Sequence, residues 1–126
     1  MVNNLLLPLF AAIAPFLVWP LELILPYPHL VEEIVKAVLV WWGRPRATTA
    51  ILMGAMFAVS EAVFYLFNSP SALSRLIYTI PLHASTFLIL ALSRRRFFPL
   101  GLAAAILTHW LYNKFTGYPS LGPIFS

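Results

Sequence analysis

The sequence has 126 residues, of which 61% are hydrophobic and 10% are charged, and its mean hydropathy is +0.87. This composition excludes an ordinary soluble domain, and the length suits one compact bundle of four or five membrane spans. The net charge of +4 does not predict nucleic acid binding, because the basic residues lie between apolar segments and do not form one face. Cysteine is absent, which excludes disulfides and a thiolate nucleophile. We expect an all-α, polytopic membrane helix bundle in which residues 1–126 form a single domain.

Five apolar segments are predicted to be helices, and the first two have unusual features. The first runs from about Leu5 to Leu25 and contains Pro8, Pro15 and Pro20, so it should be kinked or broken. The second runs from about His29 to Trp42. At 1.5 Å per residue it covers roughly 21 Å, which is too short for a hydrocarbon core of about 30 Å. We therefore expect it to be buried among the other helices.

The other three segments are separated by turn-forming sequences. Thr48 or Thr49 is the predicted N-cap of the third segment, and Ser69 or Ser71 that of the fourth. The fifth segment follows Pro99, and the tail beyond it is rich in proline and glycine, so irregular structure is expected there. The three segments are predicted to end at about Phe67, Leu92 and Lys114.

Two arginine clusters predict how the bundle lies in the membrane. Arg44 and Arg46 precede the third segment, and Arg94, Arg95 and Arg96 follow the fourth. Two spans separate the clusters, so both fall on one side, which the positive-inside rule identifies as cytoplasmic. We therefore expect a multi-pass protein of the plasma membrane.

Ionisable residues interrupt four of the apolar segments. Glu32 and Glu33 lie in the second, Glu61 in the third, His83 in the fourth and His109 in the fifth. Charged side chains inside a bilayer are costly and usually face a protein interior or a water-filled cavity. Counted from the helix ends, His83 lies at a depth of about 18 Å and the others at roughly 6–9 Å from the outer side. The sequence therefore predicts a polar site within the outer leaflet.

Four short patterns carry these residues. The first is EExxK over residues 32–36, in which Glu32 and Lys36 share a helix face and can pair. Because neighbouring helical positions point about 100° apart, only one of the two glutamates is expected to face the site squarely. The other patterns are GxxFAxxE over 54–61, with Phe57 and Glu61 on one face, Arg75 with His83 eight residues later, and HxxxN from His109 to Asn113.

Together these patterns resemble the PrsW-type glutamic intramembrane proteases, a family related to the CAAX-prenyl endopeptidases. Each pattern falls on its own predicted helix, and the four occur in the family's order within a motif core of about residues 29–114. Two features differ from the family. Ala62 follows Glu61 where an asparagine is expected, and the chain is shorter, which suggests a minimal core without peripheral spans.

The resemblance implies hydrolysis of membrane-anchored protein substrates by a glutamate-activated water, without a metal or other cofactor. Peptide hydrolysis needs a base for the water, donors for the oxyanion and an acid for the leaving amine. Glu32 and Glu33 are the implied base-and-acid pair, and the sequence does not separate them. The other implied roles are water binding by Glu61, oxyanion donation by His109 and Asn113, orientation by His83, and support by Lys36, Arg75 and Phe57.

A metal-dependent hydrolase is an alternative with different chemistry. Carboxylate and imidazole groups suit Zn²⁺, and a metal-bound water would hydrolyse peptides equally well. No HExxH motif is present, so this alternative ranks below the metal-free mechanism. Its ligands would come from Glu32, Glu61, His83 and His109.

Other interpretations of these residues do not involve catalysis. An inactive scaffold could bind a partner helix through small residues around Gly54, and an ion pathway would need ionisable groups across the whole membrane depth. Glu32 and Glu33 could also pair with basic residues merely to hold the helices together. Glu22 is expected to be solvated or paired, and His29 to lie at the membrane interface. The sequence leaves the substrate and the oligomeric state open.

Overall fold

The architecture is described from a computed structural model, which covers residues 4–67 and 72–116. These residues form five α-helices and no strand, so the predicted number and order of helices are confirmed. The helices are α1 (Leu7–Glu22), α2 (Pro28–Gly43), α3 (Ala47–Leu66), α4 (Ala72–Ser93) and α5 (Phe98–Thr116).

Helix α1 is continuous through Pro15 and Pro20, so the expected break is absent, while the expected kink stays a prediction. The expected capping of α3 is wrong. Helix α3 has Arg46 as its N-cap and no side-chain capping bond, so neither Thr48 nor Thr49 caps it. The predicted turn at 68–71, with its two candidate caps, and the tail from 117 onward lie outside the described residues.

Helices α2 and α4 each contact three other helices. Helix α2 contacts α1, α4 and α5, while α3 contacts α1 and α4, and α4 contacts α5. One face of α2 nevertheless stays exposed, at Ile34, Val38 and Trp41. These positions repeat every three to four residues and so form an outward stripe. The expected complete burial of α2 is therefore wrong, and its charged residues lie on the inward face.

Gly54 allows α3 and α4 to approach each other closely. A Cβ atom built at this position would lie 2.4 Å from the backbone nitrogen and Cα of Ala84. No such contact is tolerated without movement of the backbone, so glycine is needed where α3 crosses α4. The crossing lies one residue after His83, and it therefore fixes the position of that imidazole relative to α3.

The interior of the bundle is small and much of the outer surface is apolar. Leu17, Ile77 and Leu92 are each 71% exposed. Within the described residues, two helices, Ala47–Leu66 and Leu73–Ser93, are long and apolar enough to cross a membrane, judged by length and composition alone. Helix α1 is apolar but shorter.

The two arginine clusters meet at one end of the bundle. Arg44, Arg46, Arg94 and Arg95 line a single cavity of about 340 Å³. Helices α2 and α4 end at this cavity, and α3 begins there. The expectation that both basic loops lie on the same side is confirmed.

Candidate functional site

A buried lysine organises the polar interior. The Nζ atom of Lys36 lies 2.6 Å from Glu33 Oε1, 2.7 Å from His83 Nδ1 and 3.3 Å from Thr86 Oγ1. An ammonium group has three N–H donors, so these three acceptors satisfy all of them. The side chains of Lys36 and Glu33 are fully buried. The ion pair therefore lies in the protein interior within α2, and the contacts of Lys36 with His83 and Thr86 join α2 to α4.

The hydrogen bond from Lys36 also determines which ring nitrogen of His83 carries the hydrogen. Because an ammonium only donates, Nδ1 of His83 accepts, and the ring hydrogen must be on Nε2. Nε2 lies 2.6 Å from Glu61 Oε2 and donates to it. A continuous chain of polar contacts thus runs from Glu33 through Lys36 and His83 to Glu61, across α2, α4 and α3.

His109 brings α5 to the same cluster. Its Nδ1 atom lies 2.8 Å from Glu33 Oε1 and 3.8 Å from Glu32 Oε2. Since the Glu33 carboxylate is ion-paired and only accepts, Nδ1 of His109 donates. In the neutral imidazole this leaves Nε2 as an acceptor. The His109 ring stands edge-on to that of His83, with 5.5 Å between centroids.

Two carboxylate oxygens in this cluster have no hydrogen-bond partner among the described residues. They are Oε2 of Glu32 and Oε2 of Glu33, and both are buried. A buried acceptor without a hydrogen bond costs on the order of 1–3 kcal/mol, and more when it is charged. These two atoms therefore mark the place where a water, a proton or a substrate group would be bound most favourably.

Two expectations about α2 need correction. Lys36 pairs with Glu33, three residues before it, and not with Glu32. Both glutamates are interior, with Glu32 exposed by 2% and Glu33 by 0%. The expectation that only one could face the site is wrong, because α2 has neighbours on several sides and two directions about 100° apart can both be enclosed.

Aromatic rings contact the polar cluster on one side. The Phe57 ring centroid lies 4.8 Å from Lys36 Nζ and 4.9 Å from the His83 ring centroid. The Phe87 ring lies 5.9 Å from the same Nζ atom. Ring faces attract a cation, so the Phe57 and Phe87 rings stabilise the buried Lys36 ammonium. Both rings also belong to the apolar core.

Arg75 contacts an aromatic ring, and Asn113 lies close to His109 along α5. The guanidinium carbon of Arg75 lies 3.6 Å from the centroid of the Tyr65 ring, and the Thr79 hydroxyl donates to the Arg75 carbonyl oxygen. Asn113 is half-buried, one turn after His109 on α5. The expected roles of Arg75 in charge balance and of Asn113 as an oxyanion donor stay predictions.

Sequence reasoning missed two members of the cluster. Glu22 is buried, with 6% exposure, and lies within electrostatic reach of Glu61 and Lys36. Of the two expected alternatives, solvated or paired, the first is therefore excluded. Thr86 was not considered, although it is one of the Lys36 acceptors. The signal for Glu22 was present, since it ends an apolar helix. His29 is half-buried, and its ring centroid lies 6.1 Å from that of His109.

The cluster contains a possible metal-ligand set. Glu32, His83 and His109 each offer one ligand atom, and these atoms lie within 4.8 Å of one another. However, both ring nitrogens of His83 already form hydrogen bonds, one with Lys36 and one with Glu61. A metal bound through His83 would have to replace one of these bonds and lie near the lysine charge.

An apolar groove lies between α4 and α5 beside the cluster. Its volume is about 550 Å³, and Thr108 and Tyr112, which flank His109 in sequence, line it. The hydroxyls of Ser85 and Thr108 donate to carbonyl oxygens of their own helices, at 2.6 and 2.8 Å. With these polar groups satisfied, the groove presents an apolar surface.

No family model, curated protein or solved structure matches the chain.

Proposed function

We propose that the chain is a multi-pass integral protein of the plasma membrane. The support is the distribution of side chains, because glutamate and lysine are buried while leucine and isoleucine face outward. The positive-inside rule then places the arginine end in the cytoplasm and the glutamate cluster toward the outer side. A cysteine introduced at Ser71 should react with an impermeant thiol reagent in intact cells, and one at Arg95 should not. The reverse labelling would invert the orientation.

We propose further that the protein is a metal-independent glutamic endopeptidase that cleaves membrane-anchored proteins. The single observation that carries this proposal is the pair of unpartnered carboxylate oxygens of Glu32 and Glu33 beside His109. A purely structural ion-pair network would be expected to satisfy its buried acceptors. A hydrolase instead needs free acceptors that can hold a water and take a proton from it.

The contacts support different roles for the two glutamates, which the sequence left open. Protonation of Glu33 would break its ion pair and leave the Lys36 ammonium buried without a counter-charge, which is strongly unfavourable. Glu32 makes no ion pair with Lys36, and its distance to His109 Nδ1 is 3.8 Å. We therefore assign Glu32 as the base and Glu33 as the residue that holds Lys36 and His109 in place.

The reaction follows from this assignment. Glu32 takes a proton from water, the hydroxide oxygen bonds to the scissile carbonyl carbon, and the carbonyl oxygen becomes an oxyanion. Glu32 then gives the proton to the amide nitrogen as the C–N bond breaks. Because Nδ1 of His109 is committed to Glu33, His109 can donate to the oxyanion only through a protonated Nε2. The Asn113 amide would be the second donor.

The substrate would reach the cluster through the groove between α4 and α5. Apolar side chains at Ile77, Pro81 and Leu111 line the groove, and its serine and threonine hydroxyls are satisfied within their own helices. Such a surface can pack against an apolar membrane helix without leaving polar groups unpaired. The occupant we assign is the transmembrane segment of the substrate, with its outer end near His109.

A reconstituted assay tests the proposal. Purified protein in liposomes should cleave members of a panel of single-span substrates near their outer ends, and exhaustive chelation should not reduce the rate. The matched control is the triple variant Glu32→Gln, Glu33→Gln, Glu61→Gln, purified in the same way. Equal cleavage by this variant would assign the activity to a contaminant and overturn the proposal. Loss on chelation with recovery on added Zn²⁺ would establish the metal-dependent alternative.

A further inference from the structure

A second charged feature lies at the end of the bundle away from the glutamates. Four arginines from two loops line the cavity of about 340 Å³ described above. Arg44 and Arg46 come from the connection between α2 and α3, and Arg94 and Arg95 from the connection between α4 and α5. The remaining lining includes the first residue of α3, Ala47, and the apolar side chain of Leu92.

The chain has no side-chain carboxylate to balance this charge. Its four acidic residues are all glutamates, and each belongs to the polar cluster at the other end. Glu33 is the nearest to the arginine end along its helix, ten residues before Gly43, or roughly 15 Å. No ion pair among the described residues joins a glutamate to these four arginines, because the described ion pairs of the glutamates go to Lys36, His83 and His109. The arginines are therefore available to an anion from outside the described residues.

Hydrogen-bond donors at the cavity also lack partners. Arg94 Nε is buried and has no hydrogen-bond partner among the described residues. Helix α3 begins at the cavity, and its N-cap residue, Arg46, forms no side-chain cap. The first amide N–H groups of a helix attract anions, both as donors and through the helix dipole. Guanidinium groups and a helix N-terminus thus lie at one partly open cavity.

We propose that this cavity binds the phosphate group of an anionic lipid headgroup. Planar guanidinium groups match the oxygens of a phosphate, and basic pockets at the cytoplasmic side of membrane helices suit anionic headgroups. Leu92 and Ala91 supply an apolar wall at the same cavity, against which the glycerol and the start of the acyl chains would lie. This site is independent of the proteolytic proposal and depends only on the membrane location.

Native mass spectrometry of the purified full chain in detergent tests the proposal. The probes are phosphatidylglycerol, phosphatidylcholine and inorganic phosphate, and thermal unfolding is measured in parallel. One phosphatidylglycerol should bind at a concentration about tenfold lower than phosphatidylcholine and should raise Tm, while inorganic phosphate should not. An equal Tm increase with inorganic phosphate alone would overturn the lipid assignment.

Variants that each remove one positive charge distinguish a specific lipid site from general attraction of anionic lipid to the basic surface. Arg94→Gln and Arg46→Gln, which change the lining, should each weaken phosphatidylglycerol binding about tenfold. Arg96→Gln removes the same charge from a residue outside the lining and should weaken binding less than about twofold. Equal weakening by all three variants would show attraction to the basic surface only, which overturns the proposal. Two lining variants keep the test valid if one of them does not fold. Because the readout is binding, failure of this site is distinguishable from failure to cleave substrates.

Discussion

The two halves of the helix bundle differ in what they bury, although the same helices build both. We call the polar half the part that contains Glu22, Glu32, Glu33, Lys36, Glu61, His83 and His109. We call the apolar half the part toward the arginine end that contains Leu7, Ala11, Val40, Ala50, Met53 and Leu90. Each of these six apolar side chains is 0% exposed, so this half is packed without gaps to solvent.

The comparison shows where stability and chemistry reside. The apolar half contains only side chains whose burial is favourable or neutral. The polar half combines an ion pair, two imidazoles and two unpartnered carboxylate oxygens, an arrangement that costs free energy in a low-dielectric interior. We infer that the apolar half stabilises the fold and that the polar half would carry out the proposed reaction. Substitutions in the two halves should therefore have separable effects.

The largest expected effect is that of Lys36→Met. The substitution leaves the Glu33 carboxylate buried without its cation and removes the donor to His83, so the free energy of unfolding should fall by about 3–5 kcal/mol. Cleavage should be lost as well. Unfolding in mixed detergent micelles and the liposome cleavage assay measure the two effects.

The double variant Lys36→Met, Glu33→Gln is the control for this prediction. It removes both charges, so most of the lost stability should return while cleavage stays absent. A double variant as unstable as the single one would show that the ion pair is not the origin of the loss.

Leu90→Ala should lower stability without affecting cleavage. Truncation of a fully buried leucine in the apolar half creates a cavity and should lower the free energy of unfolding by about 2–5 kcal/mol. The rate of cleavage per folded molecule should be unchanged, because the substitution leaves the polar contacts intact. A lower kcat in a sample of Leu90→Ala in which all molecules are folded would contradict the division of the bundle into two halves.

Leu111→Trp should change activity with almost no effect on stability. Leu111 lines the groove between α4 and α5 and is 37% exposed, so a larger ring can fit without disturbing the core. We expect cleavage of single-span substrates to fall about tenfold because the ring occupies the groove. Leu107→Trp is the matched control, since Leu107 lies one turn earlier, is 54% exposed and does not line the groove. An equal effect of both substitutions would reject the groove as the substrate path.

Much of the fold could be predicted from the sequence, because hydropathy and the residues that separate helices are local signals. Apolar runs separated by proline, glycine or arginine predicted five helices, and the arginine spacing predicted that both basic loops lie at one end. Convergence of Glu32, Glu61 and His109 followed from counting residues inward from the helix ends.

The pairing of side chains could not be predicted, because it depends on how neighbouring helices are rotated. Helical spacing favoured Glu32 as the partner of Lys36, yet the position of His83 and Thr86 on α4 draws the lysine toward Glu33. The burial of Glu22 likewise depends on how α1 packs beside α3, which no pattern within α1 reveals. Hydropathy predicts that such residues are buried but does not identify their partners.

The most direct test compares Glu32→Gln with Glu33→Gln in single-turnover cleavage of one mapped substrate, with folding checked by thermal unfolding. Glutamine keeps the shape of the side chain and removes the proton acceptor. We predict that Glu32→Gln lowers the rate by about 10²–10⁴-fold without loss of stability, since removal of a buried charge lowers its desolvation cost. Glu33→Gln should lower stability as well as rate, because Lys36 loses its counter-ion. A Glu32→Gln variant that cleaves at the wild-type rate would contradict the assignment of Glu32 as the base.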